Sequence, residues 1–216
     1  VTVLGQGSIS GVDISKFYPC TAHRDFVFNN YNIPNEHKLI LFLGRVCEDK
    51  GVLDLVDAYM LLSKKYSDIW LMIVGNDESD MDKEIIHKLN VFSSRFIRVG
   101  FTSTPEVYMN AADVFVLPSY RESFGLSIIE SSACGTPSVG SNIYGITDAI
   151  IDSETGLLFD VGDVKDLANK IEILLSQSQL RTYLSKNGHA RVSEHFNRDK
   201  LTKLFLNYYL KLIDKI

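Results

Sequence analysis

An α/β fold with a doubly wound, Rossmann-like parallel sheet of about six strands, flanked by helices and followed by extra C-terminal helices, is predicted by three features of the 216-residue sequence. Short aliphatic and β-branched runs alternate with helical patterns. Charged or glycine-bearing segments fall just after several of those runs. Beyond Asp160 the strands stop and only helical patterns remain. Alternation of this kind marks repeated βαβ units whose parallel sheet is covered on both faces.

The elements follow in order. Val1 to Leu4 reads as a strand, entered partway through a longer polypeptide because the chain opens on Val1 rather than methionine. Lys38 to Gly44 is the first strong strand. Gly51 to Tyr66 is an amphipathic helix, with Val52, Leu55, Val56, Tyr59 and Met60 at spacings of three and four and Asp54 and Asp57 elsewhere. Ile69 to Gly75 is a strand, Met81 to Leu89 a helix, Phe96 to Gly100 a strand and Pro105 to Ala112 a short helix. Val114 to Leu117 is a strand, Leu126 to Ala133 a helix, and Pro137 to Gly140 and Thr155 to Phe159 complete the sheet. Helices are expected at Val164 to Ser176, at Gln179 to His195 and from Arg198 to the end. Neither an internal repeat nor a Pro/Gly-rich linker interrupts the chain, so residues 1–216 are read as one domain.

Bulk properties exclude several classes. A formal net charge of -5 disfavours a general nucleic-acid binder, which needs a broad cationic surface. Cys20, Cys47 and Cys134 are odd in number and form no CxxC pair, which disfavours a disulfide framework and a zinc cage and fits a reducing cytoplasm. No apolar run approaches the roughly 20 residues that cross a bilayer. His23, His37, His87, His189 and His195 show no i, i+4 ligand pair.

In open parallel sheets, ligands bind beyond the carboxyl ends of the strands. Two segments there carry chemistry. Gly44-Arg45-Val46-Cys47-Glu48-Asp49-Lys50-Gly51 puts Arg45 at a strand end and Lys50 at the start of the next helix, so a planar guanidinium and a mobile ammonium can converge on one diphosphate. Arg121-Glu122-Ser123-Phe124-Gly125-Leu126, with Glu130, combines a helix start with two acids eight residues apart. Free amides at that start attract anions, Gly125 allows close approach, and Glu122 and Glu130 can accept bonds from hydroxyls. The structural alternatives are a solvated polar loop for the first segment, and a helix-terminal charge plus a solvated mid-helix acid for the second. Asp77-Glu78-Ser79-Asp80 superficially resembles a metal-binding cluster but reads as helix-capping chemistry after a strand.

Gly-Arg-x4-Lys-Gly, then Glu-x-Phe-Gly-Leu-x3-Glu, then Gly135-Thr136-Pro137 and Thr155-Gly156-Leu157-Leu158, resemble in order and spacing the C-terminal, donor-binding domain of retaining GT-B glycosyltransferases of family 4. The opening Gly7-Ser8-Ile9-Ser10-Gly11-Val12-Asp13, with Phe17 and Pro19, also resembles the segment that begins that domain. The resemblance implies that Arg45 and Lys50 bind the diphosphate of a UDP-, GDP- or ADP-sugar and that the amides of Phe124, Gly125 and Leu126 cap it. It further implies that Glu130 holds the ribose hydroxyls and Glu122 contacts the donor sugar. Arg45, Lys50 and Glu122 would then be catalytic, without metal or other cofactor. Gly75 matches a family position, Val99-Gly100-Phe101 would lie near the base, and Asp113 also matches but reads as structural. Ser123 stands where many relatives carry an apolar residue, which leaves the shape of the sugar pocket open.

By the same resemblance, the N-terminal acceptor domain is absent from the chain, the product is a polysaccharide or glycolipid, and the full-length enzyme is cytoplasmic, with peripheral membrane association at the inner face as an option. Rival readings are an epimerase or hydrolase on the same fold and a non-catalytic interaction domain. The last helix places Leu201, Leu204, Phe205, Tyr208 and Leu212 on one face among lysines and reads as a packing surface rather than a membrane-surface helix; in the resembled fold it packs across toward the N-terminal domain, whose loss would leave that apolar surface exposed.

Overall fold

The computed structural model describes residues 3–8, 10–90 and 94–213. Val1, Thr2 and Ile9, on which parts of the opening assignments fall, and residues 214–216, the end of the last helix expected from the sequence, lie outside that set. In the described part of the expected opening strand, Val3 and Leu4 belong to no strand, and Gly5–Gly7 is a single 3-10 turn with Gln6 at φ 49°. A glycine on each side of Gln6 favours a turn over an extended run.

Among the described residues the sheet has six strands in the order β3-β2-β1-β4-β5-β6, all neighbours parallel. They are β1 (Lys38–Leu43), β2 (Ile69–Val74), β3 (Phe96–Val99), β4 (Val114–Leu117), β5 (Ser138–Ser141) and β6 (Gly156–Phe159). The interior of β1 and all of β4 are buried, as expected of strands sandwiched between helical layers. The helices are α1 (Thr21–Asn30), α2 (Val52–Ser63), α3 (Asp82–Asn90), α4 (Pro105–Ala111), α5 (Leu126–Ala133), α6 (Ile146–Ala149), α7 (Val164–Ser176), α8 (Ser178–Arg191) and α9 (Arg198–Ile213).

Crossovers carry the chain from β1 outward to β3, then back across the sheet to β4 and outward again to β6. One layer is α2 packed on α3 and α7; the other is α5 packed on α4 and α8, with α1 against α4. The direction of winding therefore reverses between β1 and β4. At such a reversal an open parallel sheet leaves a crevice at the carboxyl ends of its strands.

The periodicity of α2 is realised, with Val52, Leu55, Val56 and Tyr59 fully buried, although the helix stops at Ser63 rather than Tyr66. Lys50 lies one step earlier than expected, in a separate 3-10 turn Glu48–Lys50 closed by left-handed Gly51. The helix expected up to His195 ends at Arg191 and continues as a π-helical turn, Val192–Phe196. Two helices were not anticipated. α1 buries Val27 and Phe28, which are adjacent and leave no three-to-four pattern, and α6 is one turn long.

The face expected to pack on α9 is mostly open: Leu201 is buried, whereas Leu204, Tyr208 and Leu212 are exposed. Among the described residues no helix is long and apolar enough to cross a membrane.

Candidate functional site

The crevice is built by backbone pairing that outlasts the strands. Gly44 donates to Val74 O (3.0 Å), Val46 to Asn76 O (2.7 Å) and Glu78 to Val46 O (2.9 Å), so the loops after β1 and β2 run on side by side. Gly75 is required at their closest approach. Its φ is +135°, and a Cβ there would lie 1.8 Å from Gly44 O. The amide of Gly75 donates to both Val99 O and Gly100 O, which ties in the loop after β3. Arg45 and Glu78 consequently face each other, Nη1 to Oε2 at 2.8 Å, and the bond to Glu78 raises the guanidinium's pKa further.

A polar cleft of about 330 Å³ is lined by Arg45, Asp49, Lys50, Arg121, Glu122 and Ser123. The loop after β4 is pinned to the 3-10 turn by the bond from Tyr120 N to Asp49 O (2.8 Å). Lys50 Nζ donates to Glu122 Oε2 at 2.6 Å, both side chains being mostly buried. The other carboxylate oxygen of Glu122 accepts from the amide of Ser123 at 3.1 Å. Behind Glu122 stands left-handed Gly145 after β5; a Cβ there would meet Glu122 O at 2.4 Å. Each of the three cations at this cleft is paired with a carboxylate, Arg45 with Glu78, Lys50 with Glu122 and Arg121 with Asp49 at 3.9 Å, so an anion entering it must compete with those acids.

A second, more apolar cleft of about 350 Å³ adjoins it, with Arg45 as the shared wall. Gly75, Phe101, Thr102, Pro105 and Glu130 are among its lining residues, and the Phe101 side chain is 76% exposed. Glu130 lies on the second turn of α5. Burial pushes its carboxyl up to about 7, with the charge of Lys16 pulling against and that of Glu106 pushing with it. An acid balanced between its two forms at neutral pH can accept from hydroxyls when ionised.

The structure thus gathers Arg45, Lys50 and Glu122 in one cleft and Arg45, Gly75, Phe101 and Glu130 in its neighbour, so the two acids line adjoining clefts rather than one. Gly100 is exposed and meets this crevice through its carbonyl. Gly125 is the left-handed N-cap of α5, itself buried, with no side chain capping the first turn. Phe124 aims its ring away to an edge contact with Phe196 at 5.5 Å, and Leu126 is exposed.

Asp113 lies at the opposite end of the sheet, where it accepts from Arg24 at 3.2 Å and from Leu39 N at 2.9 Å, a structural role. Asp77 caps the approach to α3 by accepting from the amides of Ser79, Met81 and Asp82, which holds its carboxyl below the ordinary range. Sequence reasoning gave no role to Glu78, Arg121 or Asp49. Arg121 and Asp49 stand inside the two quoted segments, and position alone could have raised them. Glu78 pairs with Arg45 only because of the loop register described above.

The family model for glycosyl transferases group 1 matches residues 23–191. The capsular polysaccharide biosynthesis glycosyltransferase CapM of Staphylococcus aureus is 29% identical over 198 residues, 91% of this chain and 52% of its own. Sucrose-phosphate synthase (tll1590) from Thermosynechococcus elongatus superposes with a TM-score of 0.85 at 31% identity, over 95% of this chain and 52% of its own. Anabaena Alr3699/HepE, solved in complex with UDP and glucose, shares the fold with a TM-score of 0.86 at 22% identity, over 93% of this chain and 55% of its own. The chain spans about half the length of the curated relatives it matches.

Proposed function

The chain belongs to the glycosyl transferases group 1 family, and from that premise we propose that it is the donor-binding domain of a two-domain glycosyltransferase. The enzyme moves a sugar from a nucleoside diphosphate sugar to an acceptor with retention at the anomeric carbon, in polysaccharide or glycolipid synthesis. The acceptor half lies outside this chain. The observation that carries the reading is Arg45, which forms the wall between a polar cleft bearing Arg45, Lys50 and Arg121, suited to a diphosphate and sugar, and an apolar cleft suited to a nucleoside.

In this reading the nucleoside enters the apolar cleft, with Phe101 beside the base and Glu130 accepting from the ribose hydroxyls. The diphosphate spans Arg45 towards Lys50, and the first-turn amides of α5 cap it. Breakage of the sugar–phosphate bond leaves negative charge on the departing oxygen. A cation about 4 Å away stabilises that charge by about 4 kcal/mol at an effective dielectric near 20, close to a thousandfold in rate. Lys50 is held for this by Glu122, and the anion competes with the carboxylate for it. Glu122 then turns an oxygen to the donor sugar. Arg45 is drawn from Glu78 in the same exchange.

The HepE complex offers a precedent for UDP on this fold, and CapM one for polysaccharide assembly in the family. The unpaired cysteines fit a reducing cytoplasm, with the longer polypeptide at or near the inner face of the membrane.

A donor screen on the longer polypeptide tests the reading, following nucleotide release with and without acceptors and the anomeric configuration of any product. Acceptor-dependent release with retention supports it. Free sugar formed equally well without acceptor points to hydrolysis, and inversion removes the retaining assignment.

A further inference from the structure

Two further clefts adjoin at the amino end of the sheet, opposite the proposed donor site. One, of about 420 Å³, lies at the start of α1 and has Arg24, Lys38 and Asp113 among its walls. The other, of about 260 Å³, runs along α8 and has Asp113, Arg181 and Lys186 among its walls. Ala112, Asp113 and Gly135 belong to both. Of the described residues lining them, Asp113 is the one acid against four cations. Arg24 already neutralises it: Nη1 and Nη2 each donate to Oδ2 at 3.2 Å, and the same nitrogens donate to Ala111 O and His37 O.

Three cations are left over. Lys38 Nζ stands 3.9 Å from Asp113 Oδ1, a loose second contact to a carboxylate that Arg24 has matched. On its other side Lys38 borders a small cavity with Asp68 and Glu172, but Glu172 accepts from both Lys65 and Tyr66. Arg181 donates from Nη1 to the carbonyls of Leu174 and Leu175 at the end of α7, and Lys186 is exposed. Among the described residues neither Arg181 nor Lys186 is ion-paired. The donor site is the contrast, since each cation there has its own acid. On a chain of net charge -5, like charges gathered without counter-charges repel one another and focus a positive field in the groove, which draws in anions.

We propose that this groove is a second anion site, separate from the donor site, and that it takes a phosphate group. Lys38 and Lys186 approach from the two clefts as mobile ammonium groups, and Arg181 offers Nε and Nη2, which its carbonyl bonds leave free. A phosphate monoester carries about two charges and three acceptor oxygens, a better match to three cations than a single carboxylate. The group arrives on a free anion or on a lipid headgroup, with the same chemistry at the groove.

Two titrations on this chain test the site and distinguish the sources. In the first, inorganic phosphate is added to nitrogen-15-labelled wild type and Lys38→Gln/Lys186→Gln. The amide signals of Ala112, Gly135 and Thr136 at the groove are followed beside those of Lys50 and Ser123 at the donor site. Saturable shifts are expected at the groove in wild type, weakened about tenfold or more in the variant, while the donor-site signals respond alike in both proteins. Lys186 is exposed and unpaired, so Lys186→Gln alone keeps the test decisive should the double variant fail to fold; it should weaken the groove response by itself.

In the second titration, the same proteins are mixed with vesicles of phosphatidylcholine alone or of equal parts phosphatidylcholine and phosphatidic acid, whose headgroup is a phosphate monoester. Sedimentation with the acidic vesicles only, lost in the variant, assigns the phosphate to a lipid. A response to inorganic phosphate, lost in the variant, assigns it to a free anion, and either result supports the site. No response in both titrations, or responses equal in wild type and folded variant, overturns the proposal. The donor reading stands in that case, because none of these residues lines the donor clefts.

Discussion

Glu130 answers to two opposed demands. It is buried deeply enough to be pushed up to about 7, yet its place in the apolar cleft suits it to accept hydroxyls as a carboxylate. A raised folded pKa means that the native state holds more protons than the unfolded chain between about pH 4.5 and 7. Stability therefore falls as pH rises through that window and levels off above it. Glu130→Gln removes the penalty: thermal denaturation should show a gain of roughly 1–3 kcal/mol over wild type at pH 8 and almost none at pH 5. A gain equal at both pH values would contradict the assignment. The motif residues Arg45, Lys50, Glu122 and Glu130 were legible in the sequence because each stands within a few residues of a strand end or helix start. The partners that hold them were legible only in part. Lys50 and Glu122 lie 72 residues apart and Arg45 and Glu78 lie 33 apart, so their pairing depends on which strands are neighbours.

The strands were readable as elements because full burial demands continuous apolar runs, and β1, β2 and β4 supply them. α1 was not, because its stability is tertiary: Arg24 donates to Ala111 O, His37 O and Asp113 and stacks over Phe28 at 4.0 Å. Asp113→Ala should cost about 2–4 kcal/mol in urea denaturation, by removing the only carboxylate paired, among the described residues, with the Arg24 guanidinium and the side-chain acceptor of the Leu39 amide. Nucleotide affinity should stay unchanged, since the residue lies at the far end of the sheet. Gly75→Ala is its counterpart at the near end. The substitution forces an L residue into a positive φ against Gly44 O and should cost about 2–4 kcal/mol while also weakening nucleotide binding, because the loops carrying Arg45, Glu78 and Phe101 are spliced there. Unaltered affinity in a folded G75A protein would show that the close approach does not shape the site.

Across the molecule, the sheet order puts the winding reversal between β1 and β4, and Arg45, Lys50, Glu122, Gly75, Phe101 and Glu130 line the two adjoining clefts on loops that follow the strands or, for Glu130, on the second turn of α5. The sequence gives strand-end loops without saying which are adjacent; β4 beside β1 is what brings Glu122 to Lys50. The chain's opening is tied to its end, Val12 donating to Phe196 O at 2.7 Å and accepting from Arg198 N at 2.9 Å, so α9 leaves from a fixed point. The most direct test of the donor-site claim is calorimetric titration of UDP, GDP and ADP into this chain and into its Arg45→Ala/Lys50→Ala double variant. The expected result is saturable binding of at least one nucleotide to wild type, weakened about a hundredfold or more in the folded variant. No heat with any of the three, or an affinity unchanged in the variant, would contradict it.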